Sequence, residues 1–513
     1  MKELFAGTKR QIRFMLRRDR LFIALWIIGL VALAVSVAAS YAAIKDAEAV
    51  VGMLENPAMT FLFGPVWGST NEVMAAFEFL MMGLMISAIM SMFFVIRNTR
   101  GEEEKGRGEV IRSLPVGRLS NLLATLITVI AINLVVGIAI GLALVVIGFS
   151  FAGSMMLGLV TAIIGICFSG IAAVFAQMAQ TARGSLSLGF LVFAILYVLR
   201  GIGDVSVGFL SYLSPFGLGT KVQAYVGNYT WPLLIILAIG LITMGLAFLL
   251  NSKRDHEQGL FPARLGKPEA SRLLRTHEGL AITLLKGPFI LWTITVFILG
   301  ITYGSILGEL EAFVAGLDFD LTVEVVLGML FSTMALTAVI PVLIAILKLC
   351  NEENNNRYEQ IVSKRISKYR IMGIYFAIAI VKSLVMLFAT AFGVWLAGLA
   401  VLDDPITLGR LLHLLFVFLP AIWVILGLAV LLVGILPRYA SAISYSYLGL
   451  TIVMTFLIAI LGLPEEVMYF SPFAFIPDIA SQSINWLTMA LMVLLAVALS
   501  IAGFFAYRKR DLK

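Results

Sequence analysis

The chain has 513 residues, 61% of them hydrophobic and only 13% charged, with a net charge of +7; soluble domains average roughly 25% charged residues. That composition excludes an ordinary soluble globule. Its apolar runs are continuous, which excludes an outer-membrane barrel, and they reach the roughly 20 residues that a helix needs to cross a bilayer. The chain therefore reads as an all-α integral membrane protein.

Residues 1–20, MKELFAGTKRQIRFMLRRDR, carry seven basic residues and end directly at an apolar run. Phe5, Ile12, Phe14 and Leu16 alternate with the charges at roughly helical spacing, which predicts an amphipathic helix on the cytoplasmic face. A signal peptide does not fit, because the following run is long and no small-residue cleavage site stands out. Twelve spans follow. The first six are predicted at 21–43, 73–96, 119–148, 153–180, 185–203 and 231–251. The second six fall at 288–308, 322–348, 370–400, 408–435, 441–463 and 484–507. This divides the chain into an N-terminal helix (1–20), a first six-span half (21–251), a cytoplasmic linker (252–286) and a second half (287–513).

Lys and Arg concentrate in alternate loops. Only Lys45, Arg200, Lys221 and Arg410 of the 37 basic residues fall on the opposite side. The positive-inside rule then places both termini in the cytoplasm. The basic excess follows from topology and does not point to nucleic acid.

The loop between spans 2 and 3 is a dense charge cluster, RNTRGEEEKGRGEVIRSLPVGR (97–118), and it has an echo 250 residues later. Glu102, Glu103, Arg107 and Glu109 match Glu352, Glu353, Arg357 and Glu359, and Ile111 and Ser113 match Ile361 and Ser363. Other pairs recur at offsets of 255 to 257: Ser214-Pro215-Phe216 with Ser471-Pro472-Phe473, Trp231 with Trp486, Arg183 with Arg438, and Arg254-Asp255 with Arg510-Asp511. The chain thus reads as a tandem duplication. An even number of spans per half makes the repeat parallel, with a pseudo-twofold axis along the membrane normal.

Glu103 and Arg107 stand at i,i+4 with the acid first, the favourable order for a helix pair, and Glu353 and Arg357 keep it. Both copies are therefore expected as short charged helices. A solvated loop stapled by one such pair gains only a few tenths of a kcal/mol and has little reason to keep six identities while the spans drift. A docking surface for a cytoplasmic partner explains them better. Within the spans, Lys382 stands alone as a costly ammonium, with Asn133 as its approximate counterpart. A cavity-facing position and a structural hydrogen-bond role are both open for it. Glu78 and Glu324 sit at headgroup level near span ends, and Arg200 and Asp204, in LRGIGDV, are spaced to clamp a helix end.

Cys167 and Cys350 suggest neither disulfide nor metal, and His256, His277 and His413 lack metal-ligand spacing. No P-loop, G-x-S-x-G or H-E-x-x-H pattern occurs, so the chain is not expected to be an enzyme.

ENPAMTFLFGP (55–65), the charge cluster 97–118, LRGIGDV (199–205), LSPFG (213–217) and KRDHEQGLFPAR (253–264) together resemble the fused twelve-span permease subunits of bacterial ATP-binding-cassette exporters, in particular the polyketide-antibiotic or tetronasin-type group. The resemblance implies two halves like type V exporters, a multi-pass place in the bacterial cell membrane, and export of hydrophobic compounds, antibiotics and drugs among them. It also implies two copies of a separate ABC ATPase subunit that use ATP and Mg, while this chain binds no cofactor and no metal. Residues Glu102, Glu103, Arg107 and Glu109 would then form one ATPase-coupling surface, and Glu352, Glu353, Arg357 and Glu359 the other. The Ser214-Pro215-Phe216 and Ser471-Pro472-Phe473 segments would shape the outer gate. In the second copy Arg365 stands opposite Pro115, which predicts a weaker dock. The alternative is an ion-coupled secondary transporter of the 6+6 type.

Overall fold

A computed structural model of the chain describes residues 3–42, 51, 57–106, 115–254, 259, 269–307, 323–354, 366–402, 405–456, 465–476 and 485–510. These residues form helices and connecting turns, with no strand among them. They divide into two compact units between Gly266 and Lys267.

The first unit contains α1 (Thr8–Arg18), α2 (Arg20–Ala42), α3 (Pro57–Phe63), α4 (Asn71–Asn98), α5 (Arg100–Glu104), α6 (Ser120–Ile147), α7 (Phe151–Met178), α8 (Ala182–Val205), α9 (Gly208–Tyr212), α10 (Pro215–Thr220) and α11 (Trp231–Lys253). The second contains α12 (His277–Ile306), α13 (Val323–Asn354), α14 (Lys368–Val401), α15 (Leu408–Phe416), α16 (Leu419–Ile435), α17 (Pro437–Phe456) and α18 (Trp486–Lys509).

Eleven helices among the described residues are long and apolar enough to cross a membrane. The expected span at 441–463 falls on α17, and its last residues, 457–463, lie outside the described ones. In the first unit α7 is the axis of the core: its apolar stretch is 83% buried, against 28% for α2, α8 and α11. It packs on α4, α6 and α11, with Phe168 against Phe193 and Phe216. On α6 the residues Val129, Asn133, Val136, Ile140 and Leu144 are buried, while Val135, Ile138, Leu142 and Val146 are exposed. Apart from Asn133 both stripes are apolar, as expected of a helix with protein on one side and hydrocarbon on the other.

Lipid offers no hydrophobic drive for helix association, so close backbone contact must supply it, and small residues allow that contact. A Cβ at Gly170 on α7 would lie 2.6 Å from the Gly240 carbonyl of α11. In the second unit a Cβ at Gly427 on α16 would lie 2.7 Å from the Ala496 carbonyl of α18. The same crossing thus occurs in both units.

Three helix boundaries differ from the sequence expectation. The first span of the second half starts at His277 rather than 288, because Thr276 caps it, accepting from Gly279 N at 3.0 Å. The helix then runs through Pro288, which removes only one backbone bond. The predicted span 408–435 is broken between α15 and α16, where Pro420 stands at the start of α16. In the second charged copy α13 continues through Glu352 and Glu353 to Asn354, and the rest of that copy up to residue 365 lies outside the described residues. In the first copy Thr99 interrupts the helix at φ −111°, ψ −87°, its hydroxyl donating to Val95 O at 2.7 Å, so α5 stands apart from α4.

Candidate functional site

The N-terminal helix predicted from residues 1–20 is α1. It lays Gln11 and Met15 against α6, through Gln11 Nε2 to Ser120 Oγ at 3.2 Å and Thr125 Oγ1 to Met15 Sδ at 3.9 Å. Lys9, Arg10, Arg13, Phe14 and Arg17 face outward.

The chain ends of this bundle are held by one network. Glu103 accepts from Arg100 Nη1 at 2.6 Å and from Arg254 Nη2 at 2.6 Å. Both arginines are buried, 1% and 4% exposed, so the pairs work with little solvent screening. Arg254 closes α11, and Arg118 Nη2 donates to the Arg254 carbonyl at 2.6 Å and the Asn251 carbonyl at 3.1 Å. A cation is favoured there, since the last carbonyls of a helix have no partner inside it. Glu102 pairs with Arg18 at 3.2 Å, Arg18 donates to Asp19 and Asn98, and Asp19 pairs with Arg97 at 2.9 Å. Glu104 accepts from Ala182 N at 2.9 Å and so caps α8. One cluster of charges therefore joins α1, α4, α5, α8 and α11 and the segment before α6.

The second unit repeats the central part. Glu353 pairs with Arg510, which closes α18. Lys368, 250 residues after Arg118, donates to the Arg510 carbonyl at 2.6 Å. The second arm of Arg510 donates to the Val433 carbonyl at 2.8 Å. Glu352 pairs with Lys348 one turn back at 2.7 Å.

The candidate coupling residues therefore divide. Glu102, Glu103, Glu352 and Glu353 are turned into the bundle ends, and Arg107, Glu109, Arg357 and Glu359 lie outside the described residues. Glu103 takes Arg100 and Arg254 as partners, so the i,i+4 pairing with Arg107 is not needed to hold it. Of the acidic run, Glu104 and the neighbouring Lys105 are exposed. Reading the sequence missed Arg118 and Lys368, although two basic residues at the same 250-residue offset were there to be found. Asp19, Arg18 and Asn98 gave no such signal.

At the opposite end of the first unit Arg200 and Asp204 are fully buried and 3.6 Å apart. Arg200 donates to the Thr60 carbonyl at 3.3 Å and the Leu62 carbonyl at 2.9 Å, and Tyr197 OH also donates to Leu62 O at 2.8 Å. Asp204 accepts from Ser211 Oγ at 2.6 Å. The pair's contacts link α3 and α9 to α8. Ser214 and Ser471 each cap a short helix, accepting from Phe216 N and Phe473 N at 3.2 Å, with Pro215 and Pro472 at the first helical position. Phe216 then enters the core beside Phe168, and Phe473 packs on Phe418.

Asn133 and Lys382 prove unlike. Asn133 is fully satisfied by Ser87, Ser91 and the Val129 carbonyl at 2.9–3.0 Å. Its counterpart at the 250-residue offset is Ser383, which accepts from Trp423 Nε1 at 3.1 Å. Lys382 is 1% exposed, and its Nζ has no hydrogen-bond partner, lying 5.6 Å from the Phe289 ring centre. Its stem lines an apolar groove of about 320 Å³ with Leu285, Phe289 and Val381. An unpartnered buried cation costs stability, so Lys382→Met should be more stable than the natural chain by about 1–3 kcal/mol. Thermal unfolding in detergent measures this, and unchanged efflux by the same variant would dismiss a cavity role for the lysine.

No group of three or more His, Cys, Asp or Glu residues suited to a metal occurs among the described residues. Multiple apolar helices held by glycine crossings, with charge concentrated at the helix ends and Lys382 as the buried exception, define an all-α integral membrane protein. The chain matches the family described as "Multidrug efflux system permease Rv1217c, C-terminal domain" over residues 9–250 and 274–508. It is 30% identical to the multidrug efflux system permease protein Rv1217c of Mycobacterium tuberculosis (strain ATCC 25618 / H37Rv), over 99% of this chain and 96% of that protein. It belongs to the Rv1217c permease family.

Proposed function

We propose that the chain is the transmembrane permease subunit of an ATP-driven efflux system for hydrophobic or amphipathic compounds, with hydrolysis carried by two copies of a separate ABC ATPase subunit. The halves would be parallel repeats, with the charged ends cytoplasmic. The observation that carries this reading is the repeated clasp, Glu103 on Arg254 in one unit and Glu353 on Arg510 in the other. Each clasp ties the end of a second span to the end of the last span of its half. A push on the charged segment is therefore passed to the bundle instead of being absorbed in a loop. Family membership supports efflux, and the lack of a P-loop in the sequence supports a motor on another chain. ATPase closure would bring the two charged segments together and favour an outward-facing arrangement, a population shift driven by differential binding.

The test leaves the clasps intact. Arg107→Glu with Glu109→Lys, and Arg357→Glu with Glu359→Lys, should each reduce ATPase co-purification and efflux, with the first pair doing more harm. Full ATPase retention by both double variants would overturn the assignment of the dock. Efflux that persists after ATP depletion and collapses with the proton gradient would establish the ion-coupled alternative.

A further inference from the structure

The second unit carries an apolar groove of about 560 Å³ between α14, α16 and α18. Its wall includes Tyr369, Phe376, Trp423, Val497, Ile501 and Phe504. Ser500 Oγ donates to the Ala496 carbonyl at 2.7 Å and Trp423 Nε1 to Ser383 Oγ at 3.1 Å, so apart from the Tyr369 hydroxyl the wall offers an occupant an apolar surface. From Val493 to Phe505 it follows α18 for about 18 Å at 1.5 Å per residue, the length of an acyl chain rather than of a compact ligand.

Its mouth lies at the charged end. Phe504 stacks on Tyr369 at 6.5 Å, and the Arg508 guanidinium lies over the other ring partner, Tyr369, at 5.5 Å. Arg508 and Lys509 are exposed. Lys368 is held by the carbonyls of Arg508 and Arg510, and Arg370 pairs with Glu278 at 2.8 Å, both partners exposed. Positive charge therefore exceeds negative at the mouth among the described residues.

The first unit shows what the equivalent surface does when it has a protein occupant. Phe248, 256 residues before Phe504, meets Phe5 at 6.4 Å. Leu119, 250 residues before Tyr369, donates its N–H to the Leu4 carbonyl at 3.0 Å, and Gly117 donates to the Ala6 carbonyl at 3.0 Å. The chain's own N-terminal segment thus covers that face. There, leucine stands in place of Tyr369, and Ser252 stands in place of Arg508. The aromatic shelf and the exposed guanidinium occur in the unit whose groove is uncovered among the described residues.

We propose that this groove is a binding site for an anionic glycerophospholipid from the leaflet at the charged end. One acyl chain fills the groove along α18. The phosphate sits at Arg508 and Lys509, with Tyr369 holding the guanidinium in place. Basic pockets between spans select acidic headgroups in this way, each cation adding to the attraction. The site does not depend on the transport reading, and its test involves no transport.

Native mass spectrometry of the full chain in mild detergent, with phosphatidylglycerol and phosphatidylcholine supplied at equal concentration, measures occupancy and headgroup preference. The natural chain should retain phosphatidylglycerol about tenfold over phosphatidylcholine. Arg508→Gln with Lys509→Gln should abolish that preference while a lipid still binds. Val497→Trp, at a position half exposed in the groove, should fill it and lower retention of either lipid, with unchanged size-exclusion behaviour showing that it folds. Equal retention of the two lipids by the natural chain, no retained lipid, or undiminished retention by Val497→Trp would each overturn the proposal.

Discussion

Glu353→Lys should destabilise the second unit by about 3 kcal/mol, the lower end of the cost of breaking a buried ion pair. The substitution removes the partner of Arg510 and sets a second cation against it, where the two side chains are only 11% and 16% exposed. Arg510 would still donate to Val433, so the end of α18 stays attached by its weaker link. Thermal unfolding in detergent, with size exclusion to count folded protein, reads the effect. Exchanging the charges, Glu353→Arg with Arg510→Glu, should recover more than half of the loss but not all, because glutamate cannot donate to the Val433 carbonyl. Lys105→Glu, an exposed change in the equivalent region of the first unit, should stay within about 0.5 kcal/mol. If Glu353→Lys proves as harmless as Lys105→Glu, the clasp does not hold the bundle end.

Arg200→Met is expected to cost more, about 4 kcal/mol, because the guanidinium is fully buried and serves two carbonyls and a carboxylate. Its loss leaves the Leu62 carbonyl with Tyr197 OH alone and the Thr60 carbonyl with Gly64 N alone, and leaves the buried Asp204 with Ser211 and, 3.9 Å away, Lys221. The segment Pro57–Phe63 should come loose, so limited proteolysis should cut near it before the rest of the unit. Arg200→Lys should fail to rescue, since an ammonium cannot reach two carbonyls and a carboxylate in one plane. A lysine variant with native stability would show that charge, and not the fork, is what matters there.

The spans were legible because burying twenty apolar residues in lipid needs no information from elsewhere in the chain. The prediction of 231–251 meets a helix over Trp231–Lys253, and 153–180 meets Phe151–Met178. Boundaries failed where a local signal was overridden. The span was expected to begin at 288, yet α12 starts at His277 and carries Pro288 in its interior, giving up one backbone hydrogen bond in a helix 30 residues long. The serine caps at Ser214 and Ser471 act within three residues, and their recurrence in the sequence carried over directly into geometry.

The charge clusters were a harder case. Their repetition marked Glu102, Glu103, Glu352 and Glu353 as important, but an i,i+4 rule looks only along one helix. It offered Arg107, which lies outside the described residues, and could not offer Arg254, 151 residues away, which supplies a hydrogen bond at 2.6 Å. The recurrence of Arg254 and Arg510 was visible as well, with nothing in the linear order to join it to the glutamates.

By itself the sequence determined the all-α membrane class and the internal echo, because composition and periodicity act through the bilayer on each segment separately. The tertiary structure decided what the conserved-looking charges do. Ion pairing in a dry helix end depends on distance in space, and only the packed bundle brings Glu103 to Arg254, Glu353 to Arg510 and Arg200 to the Thr60 and Leu62 carbonyls. It also decided that one bundle face is covered by Phe5 while its counterpart beside Tyr369 and Phe504 is an apolar groove among the described residues, since that depends on which segments reach which surface.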